Sequence, residues 1–277
     1  MPDSPTTPNE AEHRRWNNDY WTAVWPRREQ FTNAVTAPLL GHLSLRSGDR
    51  VLDVGSGGGT SALAAAPLVG VEGAVVGADI SEQLVRFARR RAAEAGLANV
   101  TFEVADMQTD HIPGAPFTAA MSQFGVMFFD EPRTAFANLL HQLEDGGRLG
   151  FACWQSAARN PWHIQHAIQP YLPPPPAPPP GKSAGGPFSL GDATKTAGLL
   201  SSAGWAHVES FPYEVTVNVA SDAIVDAGQP AFMGVPDDQL AEAWAAVQRH
   251  LAQFDRGGGR YDVPLAYQIF TASKRVK

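Results

Sequence analysis

From residue 50 onward the apolar positions alternate between two patterns. Short runs rich in Val, Leu, Phe and Ala stand at 50–54 (RVLDV), 74–79 (AVVGAD), 99–105 (NVTFEVA), 117–123 (FTAAMSQ) and 148–154 (RLGFACW). Each is too short for a helix and continuous enough to be covered on both faces, the mark of a buried strand. Between them, apolar residues recur at helical spacing: Leu84, Val85, Ala88, Ala92 and Ala95 in one segment, Phe136, Leu139, Leu140 and Leu143 in another. Punctuation agrees with this reading. Ser81 stands where a helix N-cap belongs and Gly96 where the helix stops; Glu131-Pro132 opens the later helix and Gly146-Gly147 closes it. Five strands alternating with helices predict an α/β fold, a parallel sheet doubly wound with helices on both faces.

The flanks read differently. Residues 1–11, rich in Pro, Thr and acids, are expected to be a disordered tail. Residues 12–24 turn helical, with Trp16, Tyr20 and Val24 on one face and Trp21 and Trp25 on a neighbouring one. A second helix is expected over 27–45, bent near Pro38. Three of the seven Trp fall here, either docking the segment 12–46 on the domain or closing over it as a lid; the two roles are compatible. After Trp154 the alternation stops. The segment 155–191 holds YLPPPPAPPPGKSAGGPF, which cannot pair in a sheet and reads as an extended, solvated insertion rather than a ligand for a proline-recognition module. Asp192 then caps a helix ending at Gly204, a sixth strand runs over 206–217, and a seventh over 264–273. Between these two strands, 218–260 is far longer than a hairpin needs and includes an amphipathic helix, 236–254, that aligns Leu240, Trp244, Val247, Leu251 and Phe254. The expected organisation is therefore a core over 47–154, completed by 192–277, with 12–46, 155–191 and 218–260 forming a cap.

Composition narrows the function classes. A hydrophobic content of 44% over 277 residues supports a full core, and a net charge of −7 argues against a phosphate-binding surface. The run Arg89-Arg90-Arg91 lies on a predicted helix beside Glu94 and reads as a solvated face. Cys153 is the only cysteine, so neither an internal disulfide nor a cysteine-built zinc cage is available, and its apolar setting fits a small buried hydrophobe. The N-terminal sequence lacks the basic start and apolar core of a signal peptide, and no apolar run approaches a membrane span. A soluble, cytoplasmic protein is expected.

The stretch VLDVGSGGGT, 51–60, carries the chemistry. A strand meets an Asp-X-Gly-X-Gly-X-Gly turn and a helix begins at once, so the backbone can approach a ligand closely and the helix's free amides can hold its polar atoms. Read as a dinucleotide fingerprint, only the register Gly57-X-Gly59-X-X-Ala62 fits. Asp53, two residues before the first glycine, would repel a pyrophosphate and welcome an amino group. With that acid the stretch resembles the first motif of class I S-adenosylmethionine (SAM) dependent methyltransferases. The resemblance covers about 48–154. It implies a seven-stranded, mostly parallel sheet of order 3-2-1-4-5-7-6 with strand 7 antiparallel.

The same resemblance distributes roles along the strand ends, where ligands of open α/β sheets bind. It implies that Gly55, Ser56, Gly57 and Gly59 line the cofactor pocket while Asp53 helps bind the cofactor's amino-acid end. Asp79 would take both ribose hydroxyls, two acceptor oxygens against two donors. Asp106 would accept from the adenine amine, with Met107 and Ile80 sandwiching the ring. Ser122, Gln123 and Phe124 would lie beside the methyl group in flight. No Asn/Asp-Pro-Pro-aromatic motif follows the fourth strand, and Asn160-Pro161-Trp162 matches it in letters only, which points away from nucleic acid. Within the family, QFGVMFF, GGRLGFACW and the following NPW look like the UbiE-like group, whose members methylate quinones, polyketides and other small metabolites. The expected partner is a small-molecule acceptor, methylated at oxygen or carbon and facing Trp16, Tyr20, Phe124, Trp154 and Trp162. Neither nucleic acid nor membrane is expected, and a homodimer is left open. His163, His166 and Tyr20 are the candidates for a general base; no metal cluster is recognisable. The competing readings are a NAD(P)-dependent oxidoreductase and a SAM-binding protein that transfers no methyl group.

Overall fold

The structure, a computed structural model, describes residues 9–174 and 185–276. Seven strands, β1 (Arg50–Val54), β2 (Ala74–Asp79), β3 (Val100–Val104), β4 (Phe117–Gln123), β5 (Leu143–Trp154), β6 (Ala206–Ala220) and β7 (Arg260–Ser273), form one sheet of order 3-2-1-4-5-7-6. The first five run parallel to one another, and β7 lies antiparallel to both β5 and β6. This is the sheet that the resemblance implied.

The helices are α1 (Glu10–Trp16), α2 (Asp19–Leu43), α3 (Thr60–Val69), α4 (Glu82–Glu94), α5 (Pro132–His141), α6 (Gln165–Ile168), α7 (Ala193–Ser202), α8 (Ser221–Ile224), α9 (Gln229–Phe232) and α10 (Leu240–Leu251). Ser81 caps α4 by accepting from the Leu84 amide, and Asp192 caps α7 through Lys195, as the punctuation predicts. Val51 and Leu52 point to opposite faces of β1 and both are fully buried, so the sheet separates two apolar layers. One joins Val51 and Met121 to Ala62, Ala66, Val85 and Ala88 of α3 and α4. The other joins Leu52 and Phe151 to Phe136 and Leu139 of α5 and, further out, to Val247 and Leu251 of α10.

Several boundaries differ from expectation for physical reasons. The N-terminal helices part at Asn17-Asn18 rather than near residue 25. Asn17 leaves the helix because its side chain bonds elsewhere, donating to the Ile80 carbonyl and accepting from the Glu82 amide, each at 2.9 Å. Pro26 consequently sits inside α2. Residues 1–8 of the expected tail lie outside the described residues, whereas Asn9 is buried and α1 begins at Glu10. The β6–β7 pairing continues from Ala206↔Ser273 to Ala220↔Arg260, lengthening both strands beyond the sequence expectation. β5 begins at Leu143, ahead of a bulge against β4. The helix expected over 236–254 is α10 with one 3₁₀ turn at each end, Asp237–Gln239 and Ala252–Phe254. Residues 175–184, most of the proline run, lie outside the described residues.

Arg91 departs from the solvated face expected of the arginine run. It donates to Glu29 at 2.5 Å and to the Gly58 carbonyl at 2.6 Å, tying α4 to α2 and to the glycine turn. Cys153 is fully buried with its Sγ donating to the Leu190 carbonyl at 3.4 Å, and burial pushes its thiol up to about 12.

Candidate active site

A cleft of about 1070 Å³ opens over the carboxyl ends of the parallel strands. The turn after β1 is its floor. Gly55, Gly57 and Gly59 have φ of 66°, 52° and 88°, a region closed to most side chains. The space is also taken: a Cβ on Gly55 would stand 2.8 Å from the Gly125 Cα, and one on Gly57 or Gly58 would overlap the Trp25 indole.

Asp79 ends β2 facing the cleft. One carboxylate oxygen accepts from the Gly57 amide and the other from the Ser81 amide, both at 2.8 Å, which fixes the group while leaving lone pairs free. Burial raises its carboxyl above the ordinary range, against these two bonds. Ile80, Asp106 and Met107 line the same wall, with Met107 buried and Asp106 half buried. Asp106 accepts from the Gln108 amide at 3.0 Å and from Asn9 at 3.3 Å, and burial raises its carboxyl as well. Gln123 reaches the cleft while its amide accepts from Thr36 at 2.8 Å and donates to the Thr32 carbonyl at 3.3 Å. Gly55 and Ser56 line the cleft beside it.

Four expected cofactor contacts are displaced. Asp53 is fully buried beneath the turn, off the cleft, with one oxygen accepting from Ser61 at 2.6 Å; it braces the start of α3. Ser122 is equally buried. Its hydroxyl donates to the Val54 carbonyl at 2.7 Å and accepts from the Gly125 amide at 3.1 Å, so it buttresses the two strand ends. Gly57 acts through its amide on Asp79, and Gly59 N-caps α3, where a Cβ would meet Phe102 at 2.9 Å.

The other half of the cleft is aromatic. Phe124 has φ 65° at the end of β4, a strained conformation for a bulky residue, and it stacks on Trp154 at 4.0 Å and 14°. Trp154 meets Trp162 edge-on at 5.0 Å, and Trp162 meets Phe31 at 4.8 Å. Trp162 is held by Asn160, whose fully buried amide bonds the Ala266 amide at 3.0 Å, the Ala266 carbonyl at 2.8 Å and the Trp162 indole at 3.0 Å. The NPW letters are thus a device that seats an aromatic wall. Trp16 also lines the cleft and meets Trp21 at 4.5 Å with the rings tilted by 31°.

Of the three general-base candidates, only His163 lines the cleft. Burial, then His166 and His250, lower its imidazole to about 4, so it is neutral at physiological pH. His166 is exposed off the cleft. Tyr20 is also off it, donating to Asp226 at 2.9 Å and stacking on Phe232 at 4.8 Å; burial pushes its hydroxyl up to about 12. It is a clamp between α2 and the stretch 226–232, because α2 starts eight residues earlier than expected, at Asp19, and carries this face toward α9.

Sequence reasoning missed several lining residues: Asn9, Trp25, Arg28, Glu29, Phe31 and Phe188. Glu29 gathers the Trp25 indole at 2.8 Å, the Thr60 hydroxyl and Arg91. The tryptophan cluster marked this segment; the polar residues between carried no spacing signal. Three lining side chains keep a buried polar atom with no protein partner among the described residues: Asn9 Oδ1, Arg28 Nε and Ser56 Oγ. With the carboxylates of Asp79 and Asp106, this set offers both acceptors and donors, which fits a cofactor carrying hydroxyls, an amine and a carboxylate. Among the described residues no cluster of His, Cys, Asp and Glu could hold a metal ion, and no helix is long and apolar enough to cross a membrane.

Residues 51–147 match the family model described as a methyltransferase domain. Over 105 residues, 38% of this chain, the sequence is 37% identical to aklanonic acid methyltransferase DauC of Streptomyces sp. (strain C5), covering 48% of that protein. It is 37% identical over 106 residues, again 38% of this chain, to the ubiquinone/menaquinone biosynthesis C-methyltransferase UbiE of Pseudomonas entomophila, covering 41% of it. The match thus spans about half the length of these curated relatives or less. Among solved structures, the YcgJ protein of Bacillus subtilis superimposes with a TM-score of 0.60 at 18% identity, covering 87% of this chain and 98% of its own. Residues 51–147 are thus similar to a methyltransferase domain, and the seven-stranded sheet has the methyltransferase fold that its solved neighbours share.

Proposed function

We propose that this protein transfers a methyl group from SAM to oxygen or carbon of a small acceptor with a flat, largely apolar body, such as a quinone, a polyketide or a related secondary metabolite. The observation that carries this reading is the pairing of Asp79 and Asp106, at neighbouring strand ends, with an aromatic chamber in the same cleft. The names of the relatives support the small-molecule part of it.

When bound, SAM supplies an electrophilic methyl group on a sulfonium. The chain's contribution is to bind and align. Asp79 receives the ribose hydroxyls, its position set by the Gly57 and Ser81 amides; Asp106 receives the adenine amine, and Ile80 and Met107 cover the ring. Phe124, Trp154 and Trp162 hold a planar acceptor and exclude water, so that alignment and desolvation supply most of the rate. His163, neutral and at the aromatic end, orients the acceptor by accepting a hydrogen bond.

The dinucleotide reading loses support at the glycine turn. Gly57's amide is committed to Asp79, and the Trp25 indole lies against Gly57 and Gly58 where a pyrophosphate would rest. A thermal-shift titration with SAM, NAD and NADP, followed by incubation with methyl-labelled SAM and an extract of small aromatic metabolites, tests the proposal. Stabilisation by SAM alone and a labelled small product are expected. Stabilisation by NAD or NADP instead would overturn the reading, and SAM binding without labelled product would favour a binding protein.

A further inference from the structure

Asn9 immediately precedes α1 with φ 61°, a left-handed conformation that Asn tolerates better than most residues. An Asn in this place ordinarily turns its side chain onto the first free amides of the helix. Here it makes no such bond. The side chain enters the cleft instead, only 6% exposed, and Nδ2 donates to Asp106 Oδ1 at 3.3 Å. That bond sets the orientation of the amide, because turning it over would place oxygen against oxygen. Its Oδ1 is then left buried without a donor. Two acceptors consequently stand side by side at the end of β3, next to Met107, and one of them has an unmet need for a hydrogen.

We infer that Asn9 is a second reader of the cofactor's base, taking one hydrogen of a purine 6-amino group while Asp106 takes the other. This rests on the SAM reading above and extends it to a residue outside 51–147. The pair selects an amine over a carbonyl at that position, since a carbonyl oxygen would face two acceptors and leave Asn9 Oδ1 without a donor. Asn9 also delivers α1 to the cofactor's edge, so base recognition and seating of the N-terminal helix are one event.

The test compares calorimetric binding of S-adenosylhomocysteine and S-inosylhomocysteine, which differ in this one group, to wild-type protein and to Asn9→Leu. Wild type is expected to prefer the adenosyl compound. Asn9→Leu should weaken the adenosyl compound about three- to tenfold and the inosyl compound by less than about twofold, narrowing the preference. If Asn9 merely pins α1, both ligands weaken by a common factor or neither changes, and either result overturns the inference. Should Leu disturb the melting temperature, Asn9→Ala carries the same comparison. Failure of wild type to bind S-adenosylhomocysteine at all removes the SAM reading and this inference together; binding with a ratio untouched by the substitution removes this inference alone.

Discussion

Asp53 and Asp79 belong to adjacent strands, and their separate fates show what position along a chain reveals. Asp79 ends β2 and Asp53 stands one residue before the end of β1, both beside the glycine turn, yet Asp79 faces the cleft and Asp53 lies sealed under it on Ser61. The resemblance marks both acids; which side of the turn each carboxyl occupies depends on backbone direction, which the letters do not carry. Burial, reinforced by nearby Asp79 and opposed by the Ser61 hydroxyl and the Ala62 amide, pushes Asp53 up to about 7 from its ordinary 3.8. Between about pH 4 and 7 the folded protein therefore keeps a proton that the unfolded chain has lost, so this contribution is full at low pH and disappears as pH rises through 7. Asp53→Asn should become progressively more stable relative to wild type from about pH 4 to 7 and level off above, in urea unfolding at a series of pH values. A difference that stays flat would contradict this burial. His163 tests the mechanism at the same scale. Held neutral with its imidazole lowered to about 4, it should contribute no titration near pH 6.5 to kcat/KM, and His163→Gln should lose less than about tenfold. A rate limb near 6.5 that vanishes in the variant would restore it as the base. Asn160→Ala, which strands the Ala266 amide and frees Trp162, should cost about 2–3 kcal/mol in urea unfolding.

At the scale of elements, β1 to β4 and α3 and α4 were legible because each is short, periodic and bounded by a cap or a Gly. By contrast, α5 ends at His141, and the Gly146-Gly147 pair expected to close it lies inside β5, which takes Leu143 as its first residue. The N-terminal helices were not legible in this way. Their helical periodicity continues past Asn17, and only the tertiary bonds of that side chain to Ile80 and Glu82 end α1 there. The shift in register turned Tyr20 from a cleft residue into a clamp on Asp226 and Phe232. Tyr20→Phe keeps the stack and loses the bond. It should cost about 1 kcal/mol and speed amide exchange in the first turns of α2, with little change in the sheet. Unchanged exchange would show that the stack alone holds this end of the helix. The β6–β7 pair ran longer than its apolar pattern because the added rungs carry exposed polar residues such as Asn218 and Arg260, which break the run of hydrophobes.

In the whole molecule, among the described residues, the cleft is assembled from four distant stretches: the strand ends, α1 and α2, residues 162–172 with 186–189, and α9. Periodicity locates the first of these, since a parallel sheet places its ligand at the carboxyl ends of the strands. The other three meet the sheet and one another through long-range contacts such as Asn9 with Asp106, Arg28 with Gln229 and Asn160 with Ala266. Those three carry no periodic signal of their own, which is why the strand-end part of the cleft was legible in the sequence and the aromatic part only partly so. Calorimetric titration of S-adenosylhomocysteine into wild type and Asp79→Ala tests the shared cleft most directly. One site per chain with micromolar affinity is predicted, weakened at least ~tenfold, or about 1.4 kcal/mol, by the substitution. Absence of binding to wild type, or an affinity unchanged in Asp79→Ala, would contradict it.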